Sequence, residues 1–241
     1  SEDYISHTDS KKTFFDKAYQ AVKRITLKRK LRLINESLLL QNSLSRPEKN
    51  ILDVGAGTGE FLKVCKNNSW NVFGTEPDND ARNIAIKKGI VLEKDISKFS
   101  TQKFEIITLW HVLEHVENLS EYISNLNNML SDFGRLIIAV PNFKSEDAKY
   151  YKEFWAAFDV PRHLWHFSQQ SIHTLFLTER MLVEKTIPMK YDSYYVSLLS
   201  EKYKNGKINY MKALFRGFIS NWKARTSSEY SSLIYVIKKQ N

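Results

Sequence analysis

Asp53-Val-Gly-Ala-Gly-Thr-Gly59, with Glu76 closing a second apolar run, is the part of this sequence best equipped for chemistry. Glycines at 55, 57 and 59 let the backbone turn sharply and approach a ligand with no Cβ in the way. An acid about twenty residues beyond such a turn is where α/β nucleotide folds meet ribose hydroxyls. The spacing is G-x-G-x-G, unlike the G-x-G-x-x-G loop that seats a pyrophosphate on a helix N-terminus. Asp53 and Glu60 flank the loop, so a diphosphate is disfavoured and a cationic ligand favoured. S-adenosylmethionine (SAM), a nucleoside with an ammonium, a sulfonium and no phosphate, meets both conditions. Asp53, Gly55, Ala56, Gly57, Thr58, Gly59 and Glu76 are its expected contacts.

Two histidine clusters follow. His111, Glu114 and His115 stand at i, i+3 and i+4 and can share one helical face. H-x-x-E-H is also a zinc-peptidase spacing, but its place beside the cofactor motif argues against that use. The second cluster lies in an aromatic-rich stretch after Pro141: Asn142, Tyr151, Trp155, Asp159, Arg162, His163 and His166. An insertion there can fold over the carboxyl ends of the strands. A histidine could then take the proton of a hydroxyl as its oxygen attacks a methyl group in line, with alignment and desolvation supplying much of the acceleration. His111, His163 and His166 are the expected catalytic groups, and Asn142, Tyr151, Trp155, Asp159 and Arg162 the expected acceptor contacts. The competing expectation is that these aromatics merely seat the insertion on the core.

The elements that must position these residues alternate. Strands are expected at 51–54, 71–75, 90–92, 104–109, 134–140, 181–189 and 232–238, with helices at 60–67, 78–88, 119–130 and about 168–178. Gly89 and Gly134 are read as points where a helix stops and a strand begins. Such alternation implies a doubly wound, mostly parallel sheet with ligands at its carboxyl edge. Apolar residues from Phe14 to Leu40 recur at helical spacing, forming an N-terminal extension over 1–46 as one long helix or two. The domain proper is expected over 47–241, with substrate-side insertions at about 142–167 and 192–228. Within the second, Met211, Leu214, Phe215, Phe218, Ile219 and Trp222 mark an amphipathic basic helix. It is either packed on the domain with a wet basic face or used as a lid or membrane-surface element.

Composition sets the outer bounds. The 241 residues are 42% hydrophobic and 26% charged, which suits a globular fold. No apolar run is long enough to span a bilayer and no signal-peptide pattern opens the sequence. One cysteine, Cys65, excludes an internal disulfide, and a packed role is expected for it. A cytoplasmic location is therefore expected. The net charge of +9 is concentrated at the ends: 11 Lys/Arg against 6 Asp/Glu in residues 1–50, and 12 against 4 in 180–241. Basic termini are compatible with an anionic partner and a peripheral position on the inner membrane face.

With these motifs in order, the sequence resembles the class I SAM-dependent methyltransferases over roughly residues 48–140. The resemblance implies a Rossmann-like α/β fold with a seven-stranded sheet whose last strand is antiparallel. It makes Asp53–Gly59 the first cofactor motif and Glu76, followed by Pro77, the ribose-binding acid. It also places Asp95 and Ile96 near the adenine, puts Trp110 and His111 at the fourth-strand exit beside the cofactor, and makes S-adenosylhomocysteine the product. His111-Val-Leu-Glu114-His115 further resembles a segment of ubiquinone-type O-methyltransferases. Those enzymes carry a glutamate at the position of His111, where a divalent ion has been linked to orienting the acceptor. With that glutamate replaced the metal is put in doubt and none is assigned; the triplet reads as structural or acceptor-positioning, as offering His111 as a base, or as a metal site. The resemblance implies a small-molecule acceptor, lipid-, quinone- or saccharide-related, and no nucleic acid. Leu109-Trp110-His111 lacks the Pro-Pro-aromatic turn of base-amino methylation, and Cys65 lies in the wrong place for cytosine-C5 chemistry. A nucleic-acid methyltransferase and a non-catalytic SAM-binding or peripheral membrane protein remain the rival classes. A nicotinamide oxidoreductase is disfavoured by the loop spacing.

Overall fold

The computed structural model describes residues 14–39 and 48–240; residues 1–13 and 40–46 of the expected N-terminal extension lie outside them. A helix α1 (Phe14–Leu39) precedes β1 (Asn50–Val54), α2 (Glu60–Lys66), β2 (Asn71–Thr75), α3 (Asn79–Lys87) and β3 (Phe104–Trp110). The chain continues through α4 (Leu119–Met129), β4 (Leu130–Pro141), α5 (Glu146–Tyr151), α6 (Gln169–Thr178) and β5 (Met181–Pro188). It ends with α7 (Asp192–Asn205), α8 (Tyr210–Ser227) and β6 (Ser232–Lys239). The sheet order is β2-β1-β3-β4-β6-β5. β1 to β4 pair in parallel, while β6 runs antiparallel to both its neighbours, as expected of the last strand.

Alternation along the strands builds two apolar layers. Leu52, Ile107, Leu136 and Ile237 lie in register on one face and pack with Ile123, Leu126, Ile172 and Phe176. Ile51, Ile106, Ile137 and Val236 face the other way and meet Ile34, Phe61, Leu62, Cys65 and Trp70. Cys65 is buried there, and burial pushes its thiol up. Asp53 belongs to this second face, in register with Thr108, so α1 packs on the side of the sheet that carries the first motif.

Two expectations need correction, and the packing face of α8, left open, is now defined. Among the described residues the sheet has six strands, because 90–92 forms no strand: only Glu93 pairs, bridging Thr75 through Glu93 N–H to Gly74 O (3.0 Å) and Glu76 N–H to Glu93 O (2.9 Å). Ile90 and Leu92 are buried while Val91 is 74% exposed, and Asp95 then caps a 3-10 turn at Ile96–Phe99. Gly89 does end a helix, at φ +76, but Gly134 does not, since β4 begins directly at Leu130. Finally, α8 turns its large apolar residues outward and packs through Ala213, Gly217, Ser220 and Ala224. Gly217 permits this, because a Cβ there would lie 2.7 Å from the Tyr194 ring.

The two expected insertions pack against each other. Tyr151, Trp155, Ala157 and Val196 form a small core of their own, tied by two buried carboxylates. Asp147 accepts from Trp155 Nε1 (2.9 Å), Ser220 Oγ (2.5 Å) and Ser231 Oγ (2.6 Å). Glu201 accepts from Tyr151 Oη (3.1 Å) and pairs with Lys212 (3.2 Å).

Candidate active site

The cradle begins where β1 ends. Gly55, Gly57 and Gly59 all adopt positive φ (67°, 54° and 72°), which non-glycine residues enter at a cost. A Cβ at Gly55 would meet Val112 Cγ2 at 2.6 Å, whereas at Gly57 it would meet nothing within 4 Å. Gly57 therefore borders open space and presents bare backbone to it. Glu76 faces the same loop: one oxygen accepts from Gly57 N–H (2.8 Å), the other from Asp78 N–H (3.0 Å). A carboxylate has about four acceptor sites, so each oxygen keeps capacity for a ribose hydroxyl. Asp53 is buried and accepts from Thr108 Oγ1 (2.6 Å). Burial raises its pKa to about 6, against the lowering effects of that hydrogen bond and of the Lys30 charge.

The expected contacts divide. Ala56 N–H is tied to Thr75 O (2.8 Å), which holds the loop against β2. Thr58 is buried, its hydroxyl and carbonyl both accepting from Lys88 Nζ (3.0 Å each). Lys88 also pairs with Glu60 at 2.6 Å, so Glu60 is neutralised within the fold and does not supply the field for a cation that its position promised. Pro77 accepts from Arg82 through its carbonyl (2.8 Å). Asp95 is exposed at the same sheet edge, bonded to the Ser97 N–H and hydroxyl, with Ile96 starting the turn behind it. Trp110 packs edge-on to Phe61, and its buried Nε1 has no hydrogen-bond partner.

A residue that spacing could not reveal completes this side. Lys30, from α1, lies over the Trp110 ring at 4.0 Å from its centroid. Burial lowers its pKa to about 8, while the charges of Asp53 and Asp192 act to raise it. No described carboxylate pairs with it within 4.0 Å. Among the described residues, Lys30 Nζ and Trp110 Nε1 are thus two donors without an acceptor, and Lys30 is close enough to Asp53 for their charges to act on each other. That set suits an amino-acid zwitterion: carboxylate to the donors, ammonium to Asp53.

On the acceptor side, His111 sits at φ +57 between two acids, Nδ1 at 3.3 Å from Glu114 Oε1 and Nε2 at 3.2 Å from Asp192 Oδ2. Burial would lower its pKa, but the facing carboxylates of Asp192 and Glu114 outweigh this and raise it to about 10. The raised pKa favours the imidazolium form, which argues against the expected role as a base. Its contact to Glu114 is an ion pair without hydrogen-bond alignment, and both buried Glu114 oxygens lack a hydrogen-bond donor.

The two histidine clusters form one site. Leu164 N–H bonds Glu114 O (2.8 Å), Trp165 Nε1–H bonds Val116 O (2.7 Å), and the His115 and His163 rings meet edge to face at 4.6 Å. His115 Nδ1 lies 2.9 Å from Arg162 O and His163 Nδ1 2.8 Å from Ala157 O. A carbonyl only accepts, so each Nδ1 carries the proton and each Nε2 keeps its lone pair. Burial lowers the pKa of His163, keeping it neutral. Glu114, His115 and His163 offer ligand atoms within 4.8 Å of one another, and Nδ1–H to a backbone carbonyl is how metal-bound histidines are usually oriented. The sequence left a metal open only for Glu114 and His115 together with His111, not with His163.

The remaining acceptor expectations fare unevenly. Tyr151 and Trp155 are 1% and 2% exposed, with their polar ends on Glu201 and Asp147. They hold the insertion together, so the acceptor role is withdrawn. Asn142 is likewise buried, donating to Glu229 (2.7 Å) and Tyr230 O (3.1 Å). Asp159 binds Arg162 at 2.6 Å and stands 3.8 Å from His163 Nε2. His166 is exposed against Phe158, and burial of part of its ring lowers its pKa.

A parallel sheet with a glycine loop faced by an acid at its carboxyl edge, and an inverted last strand, defines the class I SAM-dependent methyltransferase architecture. The chain belongs to the methyltransferase-domain family, which it matches over residues 26–179, more than half its length. An uncharacterized methyltransferase of Staphylococcus carnosus is 31% identical over 122 residues, covering 48% of this chain and 58% of that protein. One of Bacillus pumilus is 27% identical over 119 residues, covering 46% and 56%. The chain thus spans under two-thirds of the length of these relatives. Among solved structures, a Synechocystis magnesium protoporphyrin IX methyltransferase with bound SAH matches at TM-score 0.60 and 15% identity, over 96% of this chain and 90% of that one. A Mycobacterium tuberculosis cyclopropane synthase matches at TM-score 0.58 and 11% identity, over 88% and 83%. At these identities the likeness establishes the fold.

Proposed function

We propose that this chain moves a methyl group from SAM to a hydroxyl of a small-molecule acceptor. The observation that carries the reading is the cradle: open backbone at Gly57, Glu76 with spare acceptor capacity, and buried Asp53 beside it. Bound SAM would supply an electrophilic methyl on a sulfonium and leave as S-adenosylhomocysteine. Gly55–Gly59 and Glu76 would hold the nucleoside, and Asp53, Lys30 and Trp110 the amino-acid end. His163 is the best-suited base, since its Nε2 lone pair is available and its neutral form favoured, whereas His111 is held as a cation. His111 instead links the turn after β3 to α7 through Asp192.

Calorimetric titration with SAM, followed by detection of S-adenosylhomocysteine with candidate acceptors, tests this. Absence of SAM binding would end it. Unchanged turnover in both His163→Ala and His166→Ala, with SAM binding intact, would remove the histidine base. The grouping of Glu114, His115 and His163 ligand atoms within 4.8 Å, with both histidine Nδ1 atoms turned to backbone carbonyls, favours a second reading, a divalent cation there acting on the acceptor hydroxyl in place of a base. Turnover insensitive to chelators in a metal-free preparation would exclude it.

A further inference from the structure

The outward face of α8 is the largest feature the methyl-transfer reading does not use. Met211, Leu214, Phe215, Phe218 and Trp222 recur at i, i+3, i+4, i+7 and i+11, one continuous stripe. They are 79%, 49%, 59%, 56% and 59% exposed. Contiguous exposed apolar surface of this kind marks an interaction site. The helix does not leave it bare for want of an alternative register, because its opposite face of small residues is what lets it lie close against α7.

Charge identifies the occupant. From Lys202 to Arg225 the sequence holds seven Lys/Arg and no Asp/Glu. Some of these serve the fold: Lys212 pairs with Glu201, Lys223 with Glu146, and Arg216 stacks on Tyr150 at 3.6 Å. Arg225 does not, and Arg29 and Lys190 join it from outside that segment. At the Trp222 end of the stripe lies a cleft of about 240 Å³ lined by Arg29, Lys190 and Arg225 among Tyr191, Phe218 and Trp222. It has no carboxylate in its wall, and none of its three cations forms an ion pair with a described residue. Arg29 rests over the Tyr191 ring at 5.1 Å. A second copy of this chain is a poor occupant, since two-fold pairing would oppose these cations. A helix with Trp, Phe and Leu on one face and Lys/Arg around it is suited to the bilayer interface, where the apolar side chains enter the acyl boundary and the cations meet phosphates.

We propose that α8 docks this chain on an anionic phospholipid bilayer, with the cleft of Arg29, Lys190 and Arg225 receiving a lipid phosphate. The basic surface is thus built by α8 and α1 together, joining the two basic ends of the sequence. Docking stands apart from methyl transfer, although Tyr191 in the cleft directly precedes Asp192, the partner of His111, so bilayer and acceptor side share the first turn of α7.

The test is flotation of the full chain with vesicles of phosphatidylcholine alone or mixed with phosphatidylglycerol, with SAM affinity measured on the same preparations. The expected result is flotation with the anionic vesicles, weakened by salt and roughly tenfold or more poorer in a Leu214→Ser, Phe215→Ser double variant. Arg225→Glu should reduce the salt sensitivity as well as the binding. No flotation, or flotation that the double variant leaves intact, overturns the proposal. So does light scattering that finds a dimer which the double variant dissociates. A chain that floats without binding SAM supports docking and refutes the methyltransferase reading; one that binds SAM and stays at the bottom does the reverse.

Discussion

The proposed cofactor side and the proposed acceptor side of this molecule are built by different means. Asp53 to Gly59, Glu76 and Trp110 sit at the ends of consecutive parallel strands, and much of what they offer is backbone: the bare Gly57 loop and the N–H groups on Glu76. The acceptor side draws His111–His115, Ala157–His166 and Asp192 from three distant segments, and its chemistry depends on which carboxylate faces which ring. A strand end is a fixed address in an α/β sheet. A side-chain cluster between insertions is set by tertiary packing.

The comparison is broken most sharply by separating turnover from binding. His163→Ala should lower methyl transfer by about a hundredfold, the lower end for a lost proton acceptor, with the SAM dissociation constant unchanged. Steady-state kinetics beside calorimetry checks it. A variant that loses SAM affinity in step with turnover would mean the two sides are one cooperative unit.

Glu76→Ala should act on the other side alone. It removes the acceptor for Gly57 and Asp78 N–H and for the ribose, and weakens SAM binding by some ten- to a hundredfold, about the worth of one or two charge-assisted hydrogen bonds. Turnover at saturating SAM should change much less. Equal loss in both would place Glu76 in the acceptor machinery.

Legibility in the sequence follows the same division. The alternation that gives Leu52, Ile107, Leu136 and Ile237 one face and Ile51, Ile106 and Ile137 the other is a period-two pattern, visible without coordinates. The glycine loop, Glu76 and the Ser168 cap of α6 are equally local. What failed was non-local. Lys30 is one lysine among many until α1 lies across Trp110. Tyr151 and Trp155 looked like pocket aromatics because nothing in the sequence says that Glu201 and Asp147 would cover their polar ends. The outward stripe of α8 had the correct period, but period alone does not decide which face is buried when the opposite one is small enough for close packing.

A pH titration sharpens the comparison further. Burial holds Asp53 at about pKa 6, raised from its ordinary value, so the folded protein prefers it protonated. The stability this contributes is present below the unfolded pKa near 4 and lost as pH rises through about 6. A cationic ligand favours the ionised form, so SAM affinity should be full above pH 6 and fall toward tenfold per unit below it. Asp53→Asn should bind more weakly and lose that dependence. A pH-independent wild-type affinity between 5 and 7 would detach Asp53 from the cofactor.

The smallest expected effect concerns Lys30, where the two sides meet through α1. If its ammonium and Trp110 Nε1 hold the SAM carboxylate, Lys30→Met, which keeps the apolar stem over the ring, should weaken SAM about fivefold, as for one partly screened charge pair. Its pKa near 8 gives the pH signature: the contact needs the proton, so wild-type affinity should decline as pH rises through 8 and the variant's should not. Tighter binding in the variant would reverse the assignment. Lys30 would then compete with the cationic end of the cofactor for Asp53, making α1 a strap that the cofactor must displace.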